Sequence, residues 1–178
     1  MDKPSALVEK GWESIGYSRY SFGDTQVVAS AYGPYESKAV VKSNFEKCLV
    51  EVVISDVFFS TDTSTEEAQL KNLFSSLVDS KKYPYLCVTI TIQIISRGDQ
   101  LIASCINAGF LALKQACIDL KYGAFAMEFK GKTFECLLAL VPHTDLILLS
   151  VVKGLMTIQD YKACVQQVCA KTQELFTH

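Results

Sequence analysis

The chain has 178 residues, of which 49% are hydrophobic, so it is long and apolar enough to bury the core of one domain. Its formal net charge of −2 excludes the strongly basic class of protein that holds nucleic acid by itself, because neutralised phosphates supply most of that affinity. Seven cysteines without a Cys-x-x-Cys pair indicate reduced, intracellular thiols, and the two histidines are too far apart for a zinc site. The N-terminus is too polar for a signal peptide, and no apolar stretch reaches the ~20 residues of a membrane span. We therefore expect a cytosolic or nuclear protein with no membrane contact.

The first predicted element is a β-hairpin over Ser18–Ala31. Its two arms meet at the turn Gly23-Asp24-Thr25, and Gly33-Pro34 closes the returning strand. A polar connection over Lys38–Lys47 follows, and the apolar run Leu49–Ile54 predicts another strand. The chain therefore begins with antiparallel β-structure.

The first predicted helix starts at Ser64 or Thr65, either of which can cap it. Glu66 and Glu67 fall in its first turn, where negative charge is favourable. Its apolar residues recur at helical spacing and predict one buried face, formed by Leu70, Leu73, Phe74, Leu77 and Val78.

A second strand and helix follow across a short turn. The strand is predicted from strict alternation of apolar and polar residues, with Leu86, Val88, Ile90, Ile92 and Ile94 on one face. Ser96-Arg97-Gly98-Asp99 breaks that pattern. The helix follows from Ile102, and its core face is predicted to hold Ile106, Phe110, Leu113 and Cys117.

Three more strands are predicted at Ala124–Phe129, Thr133–Val141 and Leu146–Val152, separated by turn sequences. A last helix has an apolar seam made of Ile158, Tyr161, Val165, Val168, Thr172 and Leu175. Such a seam is compatible with a coiled coil, but over fewer than three heptads we favour a helix packed on the core. The order of elements indicates an α/β protein with a mixed sheet, folded as a single domain over residues 1–178.

Three stretches carry a resemblance to a known family: GYSRYSFGDTQVVASAYGPYE, LCVTITIQIISRGDQLIASCINAGFLALKQA and VVKGLMTIQDYKACVQQVCAKTQELF. Together they resemble the RNase PH superfamily of phosphate-dependent 3′ exoribonucleases, from about Trp12 to Phe176. The resemblance implies an RNase PH-like fold of the ribosomal protein S5 domain 2-like type. Met1–Gly11 does not match the leader of that family, which has an Arg-x-Asp-Gly-Arg phrase.

The resemblance also implies a lost phosphate site. Active members open the central helix with Gly-Thr-Arg, and alignment on Ile106-Asn107-Ala108 puts Gln100, Leu101 and Ile102 there. An isoleucine in place of the arginine cannot clamp an anion. This altered turn resembles the non-catalytic subunits of the eukaryotic RNA exosome ring. It implies a protein without catalytic residues or cofactor, which joins other RNase PH-like subunits in a heterohexameric ring, meets RNA, and is found in nucleus, nucleolus and cytoplasm.

Under this interpretation, the residues predicted to contact RNA are the loop cations Lys38, Lys42, Lys81, Lys82 and Arg97.

The alternative interpretation is a homodimeric, Mg²⁺-dependent hydrolytic nuclease acting on RNA or DNA. The candidate metal ligands are then the carboxylates in the acidic region of the family, Glu128, Glu135 and Asp145. A metal site requires the three carboxylates to lie close together around one ion. A structural subunit places no such requirement on them. We reject His143 and Asp145 as a catalytic pair, because no nucleophile accompanies them.

Overall fold

The computed structural model describes residues 5–9, 15–36, 47–56, 63–144 and 146–176. Within these ranges the chain forms eight strands and three helices. In chain order they are β1 (Ser5–Glu9), β2 (Ile15–Phe22), β3 (Thr25–Glu36), β4 (Leu49–Asp56), α1 (Ser64–Leu77), β5 (Leu86–Ser96), α2 (Leu101–Gln115), β6 (Phe125–Lys130), β7 (Phe134–Leu140), β8 (Ile147–Gly154) and α3 (Ile158–Phe176). None of the described helices has the length and hydropathy needed to cross a bilayer.

The larger sheet has five strands in the order β1-β2-β3-β5-β4. Neighbouring strands are antiparallel except for β4 and β5, which are parallel with Val52 opposite Ile90. A parallel pair needs a crossover connection, and α1 supplies it on one face of the sheet. The smaller sheet is the antiparallel meander β6-β7-β8.

Helix α2 lies between the two sheets. It packs against β2, β3 and β5 on one side and against β6 on the other. Two glycines allow this close packing: a Cβ atom on Gly16 would overlap the backbone of Ala112, and one on Gly109 would lie 2.5 Å from Phe74 Cζ. The central helix is therefore fixed from both sides, with α1 beside it.

The core follows this layering. The main cluster joins the larger sheet, α1, α2 and the inner face of the smaller sheet; its fully buried side chains include Phe74, Leu70, Leu77, Ile90, Ile92, Ile106 and Leu113. A second cluster lies on the outer face of the smaller sheet, where Cys164 and Val168 of α3 meet Phe125, Cys136 and Leu138. Residues of one strand alternate between the two clusters, as a sheet covered on both faces requires.

The structure confirms the predicted fold class, hairpin, strands and helices, and it corrects several details. Strand β1 was not predicted. The N-cap of α1 is Thr63 rather than Ser64 or Thr65. Helix α2 ends at Gln115, so Cys117 is exposed with a left-handed φ of 55° instead of lying on the core face. Ile158 is 77% exposed and does not join the α3 seam.

Candidate functional site

Two adjoining hollows lie at the N-terminal ends of α1 and α2, the first against the smaller sheet and the second against the ends of β4 and β5. The first encloses about 140 Å³ and is lined by Thr65, Glu66, Gln69, Ile102, Glu128, Phe129, Lys130, Glu135, Cys136, Leu137, Val151 and Lys153. The second encloses about 180 Å³ and is lined by Ile54, Thr63, Glu66, Ile94, Arg97, Leu101, Ile102 and Cys105. The two share Glu66 and Ile102, and we call them together the α2 cleft.

The N-terminus of α2 opens into this cleft, and a carboxylate of the same chain covers it. The backbone N–H of Ala103 donates to Glu128 Oε1 at 2.7 Å, and the N–H of Ile102 also bonds to this side chain. Free amides at the start of a helix carry partial positive charge and are a ready binding place for an anion. In this protein, Glu128 fills that place.

Burial raises the pKa of Glu128 above its ordinary value, and the hydrogen bonds from Ala103 and Ile102 act in the opposite direction. The net rise means that loss of water around the carboxylate costs more than the two amide bonds return. The effect of burial on the pKa of Glu128 is thus larger than that of the two hydrogen bonds and of the nearby Lys130 charge, which lower it.

Gln100 connects the start of α2 to β6 through two hydrogen bonds to Glu128. Its Nε2 donates to the backbone oxygen of Glu128 at 2.5 Å, and the backbone N–H of Glu128 donates to Gln100 Oε1 at 2.8 Å. Two turns further along α2, the buried Asn107 repeats this pattern on Ala126, with bonds of 3.0 and 2.8 Å, and also donates to the Tyr20 hydroxyl. Burial raises the pKa of Tyr20 to about 12, so it is a neutral partner. The side chains of α2 thus extend the hydrogen bonding of β6.

Two of the three cations that line the cleft, Arg97 and Lys130, are engaged with carboxylates. Arg97 Nε donates to Asp56 Oδ2 at 2.5 Å, and that aspartate side chain is only 2% exposed. Lys130 Nζ lies 2.8 Å from Asp99 Oδ1; this contact raises the pKa of Lys130 and lowers the pKa of Asp99. The cleft therefore carries mixed charge and does not form a cationic pocket.

A family model described as the 3′ exoribonuclease family, domain 1 (RNase PH), matches residues 9–119, which is more than half of the chain. The chain belongs to this family. Among relatives, it is 27% identical over 198 residues to the exosome complex exonuclease RRP46 homolog of Arabidopsis thaliana, covering 90% of this chain and 82% of that protein. It is 31% identical over 114 residues to exosome complex component RRP46 of Saccharomyces cerevisiae, covering 59% of this chain and 51% of that protein. The chain spans about half the length of most of the curated relatives it matches.

The fold match extends over nearly the whole chain. The crystal structure of Rrp46 from rice, Oryza sativa, superposes with a TM-score of 0.84 at 22% identity, and the alignment covers 97% of this chain and 90% of that one. The predicted RNase PH-like fold is therefore confirmed, including the part that follows residue 119.

In this member of the exoribonuclease family, the structure places the three residues of the predicted degenerate phosphate site at the start of α2. Gln100 is the N-cap residue, Leu101 begins the helix, and Ile102 lines both halves of the α2 cleft. None of them brings positive charge to the helix amides that Glu128 covers.

The predicted metal ligands are only partly brought together. Glu128 and Glu135 line the same half of the cleft, but Glu128 is bonded to the helix amides and Glu135 stands opposite Lys130 and Lys153 on the neighbouring strands. Asp145 lies outside the described residues. Among the residues that the structure describes, no group of three His, Cys, Asp or Glu side chains is arranged to hold a metal.

The three predicted RNA contacts that the structure describes lie at two separate places. Arg97 follows β5 and Lys81 and Lys82 precede it, so they stand at opposite ends of an 11-residue strand, about 35 Å apart. Lys82 pairs with Asp119 at 3.2 Å. Lys38 and Lys42 lie outside the described residues.

Sequence reasoning missed the role of Glu128 at the helix and the presence of Lys130, Lys153 and Glu66 in the cleft. These residues come from α1, β6 and β8. Their mutual spacing in the sequence follows no motif, so only the packing of the smaller sheet against α2 reveals them.

Proposed function

We propose that this chain is a non-catalytic structural subunit of an RNA exosome core ring, which supports 3′ to 5′ RNA processing by presenting RNA to a nuclease elsewhere in the complex. Its membership of the 3′ exoribonuclease family and its relatives named as exosome components support this role. The proposed neighbours are other RNase PH-like subunits in a heterohexameric ring. A homodimer is the proposed state of the isolated chain, and the nucleus, nucleolus and cytoplasm are the proposed locations.

The observation that carries the proposal is the carboxylate of Glu128 on the α2 amides. Phosphorolysis requires inorganic phosphate beside the 3′ end of RNA, and the natural place for that anion is the N-terminus of the helix in the cleft. A carboxylate there repels phosphate and uses the donors that would bind it. Ile102 adds an apolar side chain to the cleft, at the position where the resemblance to active family members implies a guanidinium.

The proposal is tested by incubating the purified chain with 5′-labelled single-stranded RNA and DNA. Separate reactions contain phosphate, Mg²⁺ or neither, and each is repeated with Glu135→Ala and Asp145→Ala. The expected result is no shortening in any reaction. Mg²⁺-dependent cleavage that is lost in both variants would establish the hydrolytic nuclease instead, and phosphate-dependent shortening would show that the α2 cleft still binds phosphate.

Ring formation is measured separately, by co-expression with the other RNase PH-like subunits and by mass determination of the purified assembly. Incorporation of one copy per ring is expected. A chain that remains a homodimer in the presence of those subunits would contradict the structural role, whatever the nuclease assay shows.

A further inference from the structure

A shallow groove lies at the other end of α2 from the cleft, about 22 Å away along a helix of 15 residues. It encloses about 600 Å³ and is open to solvent. Phe110 and Pro142 are among its apolar lining residues, and Lys114, Lys121 and Tyr122 stand around them. We call this surface the α2 C-terminal groove.

The segment that forms one wall of this groove is held in place by backbone and side-chain bonds. The N–H of Lys121 donates to the oxygen of Leu77 at 2.8 Å, and the N–H of Asp79 donates to the oxygen of Asp119 at 3.0 Å. The Tyr83 hydroxyl donates to Asp119 Oδ2 at 3.2 Å and accepts from the Asp119 N–H at 3.0 Å. The groove is thus pre-organised, which lowers the entropy cost of binding a ligand there.

An aromatic ring is displayed at the groove. Tyr122 is 47% exposed, and Tyr85, at the start of β5, is exposed to the same degree. Tyr85, Cys117 and His143 have left-handed φ angles of 62°, 55° and 61°, which are unfavourable for side chains with a Cβ. Cys117 lines the groove, and His143 is the next residue in the chain after the lining residue Pro142. Strained backbone of this kind concentrates at functional surfaces.

The charge of the groove lining is opposite in sign to that of the whole chain. Its charged residues are Lys114, Lys121 and Asp119, and Asp119 also pairs with the exposed Lys82 at 3.2 Å. The lining thus carries one net positive charge, whereas the full chain has a net charge of −2. In the described part of the chain, Lys114 has no ion pair or hydrogen bond that would restrain its ammonium group.

We propose that the α2 C-terminal groove binds single-stranded RNA, with a base stacked on Tyr122 and phosphates contacted by Lys114 and Lys121. Stacking on an exposed aromatic ring combined with lysines along the backbone is the general mode of binding single strands without sequence preference. A carboxylate side chain would satisfy the lysines but does not stack on the tyrosine ring, whereas a nucleotide supplies both a phosphate and a base. The inference rests on the proposed function in one respect, the choice of RNA as the ligand. Its test uses the isolated chain and does not depend on ring assembly.

The test is fluorescence anisotropy of a labelled oligouridine of about 12 nucleotides titrated with the purified chain at low salt. The variants are Tyr122→Ala, Tyr122→Phe, and Lys114→Ala combined with Lys121→Ala. The matched control combines Lys132→Ala and Lys162→Ala, which removes two exposed lysines outside the groove. Circular dichroism checks that every variant is folded.

Loss of one stacked base raises Kd by about fivefold or more in Tyr122→Ala, while Tyr122→Phe binds like the original chain because it keeps the ring. The Lys114→Ala, Lys121→Ala double variant loses two phosphate contacts, so the slope of log binding constant against log salt concentration becomes shallower by about 1.4. The control pair leaves that slope unchanged. Crosslinking of 5-iodouridine in the oligonucleotide is expected at Tyr122.

Three outcomes would each overturn the proposal. The first is wild-type affinity in Tyr122→Ala, and the second is the absence of any binding at about 50 mM salt. The third is displacement of the RNA by polyglutamate as effectively as by unlabelled RNA, which would assign the groove to acidic protein. Failure to join a ring, with Tyr122-dependent binding intact, would count against the proposed function alone.

Discussion

Replacement of Glu128 tests the central feature of the α2 cleft. Its carboxylate accepts hydrogen bonds from the N–H groups of Ala103 and Ile102. Glu128→Ala removes that acceptor from the first turn of α2, and the expected loss in the free energy of unfolding is about 1–2 kcal/mol. For a chain of 178 residues the corresponding fall in Tm is about 2–8 °C.

Glu128→Gln separates the charge from the hydrogen bond. The amide keeps an oxygen acceptor for Ala103 but has no charge to desolvate. Because burial raises the folded-state pKa of Glu128, the folded protein holds the proton more tightly than the unfolded chain does. The contribution of this group is therefore fully present below the unfolded pKa and is lost as the pH rises through the folded pKa. At neutral pH, Glu128→Gln is expected to be as stable as the original chain or slightly more so, with a flatter pH profile.

The assay is urea denaturation between about pH 4 and pH 8, with Glu135→Ala as the control that removes a carboxylate from the same cleft. Inorganic phosphate supplies a second readout. With the anion position open, phosphate is expected to raise the Tm of Glu128→Ala more than that of the original chain at equal ionic strength. The reasoning is refuted if Glu128→Ala matches the original chain at every pH, or if Glu128→Gln loses as much stability as Glu128→Ala.

Three further substitutions test how α2 and the turn before it are held, each by urea denaturation. Asn107→Ala is expected to lower stability by about 2–4 kcal/mol, since it leaves the Ala126 backbone groups unpaired in the core; a loss below about 1 kcal/mol would mean that water replaces the side chain. Gly109→Ala is expected to lower stability by about 1–3 kcal/mol by contact with Phe74, whereas a gain would show that helix propensity outweighs the clash. Arg97→Ala is expected to lower stability by about 1–3 kcal/mol, because Asp56 is buried; weaker RNA binding with unchanged stability would instead favour the predicted RNA contact.

The secondary structure could be predicted where local pattern and burial agree. The alternation in β5 and the apolar stripe of α1 follow directly from which faces are covered, and the structure confirms both. The prediction failed at element ends. Cys117 continues the spacing of the α2 core face, yet the helix stops at Gln115 and the chain turns through a left-handed residue. Periodicity carries no information about where a helix ends when its last turn is capped by the tertiary fold.

The candidate site likewise has one part that could be predicted from the sequence and another that could not. Gln100, Leu101 and Ile102 were predicted to start the central helix without a cation, and the structure places them there. Glu128 was predicted only as a metal ligand of the alternative interpretation. Its bond to Ala103 depends on how β6 is placed along α2, and that placement is set by Asn107 and Gln100 pairing with the strand.

The sequence by itself determined the order of strands and helices, the mixed α/β class and the absence of a cationic triplet at the start of α2, because each of these depends on residues close together in the chain. Only the tertiary structure decided that a carboxylate 25 residues downstream of Ala103 covers the helix amides. It also decided that Arg97 pairs with the buried Asp56 at the end of β4. Such relations depend on strand register and layer packing, in which a shift of one residue would turn Glu128 to the opposite face of the sheet.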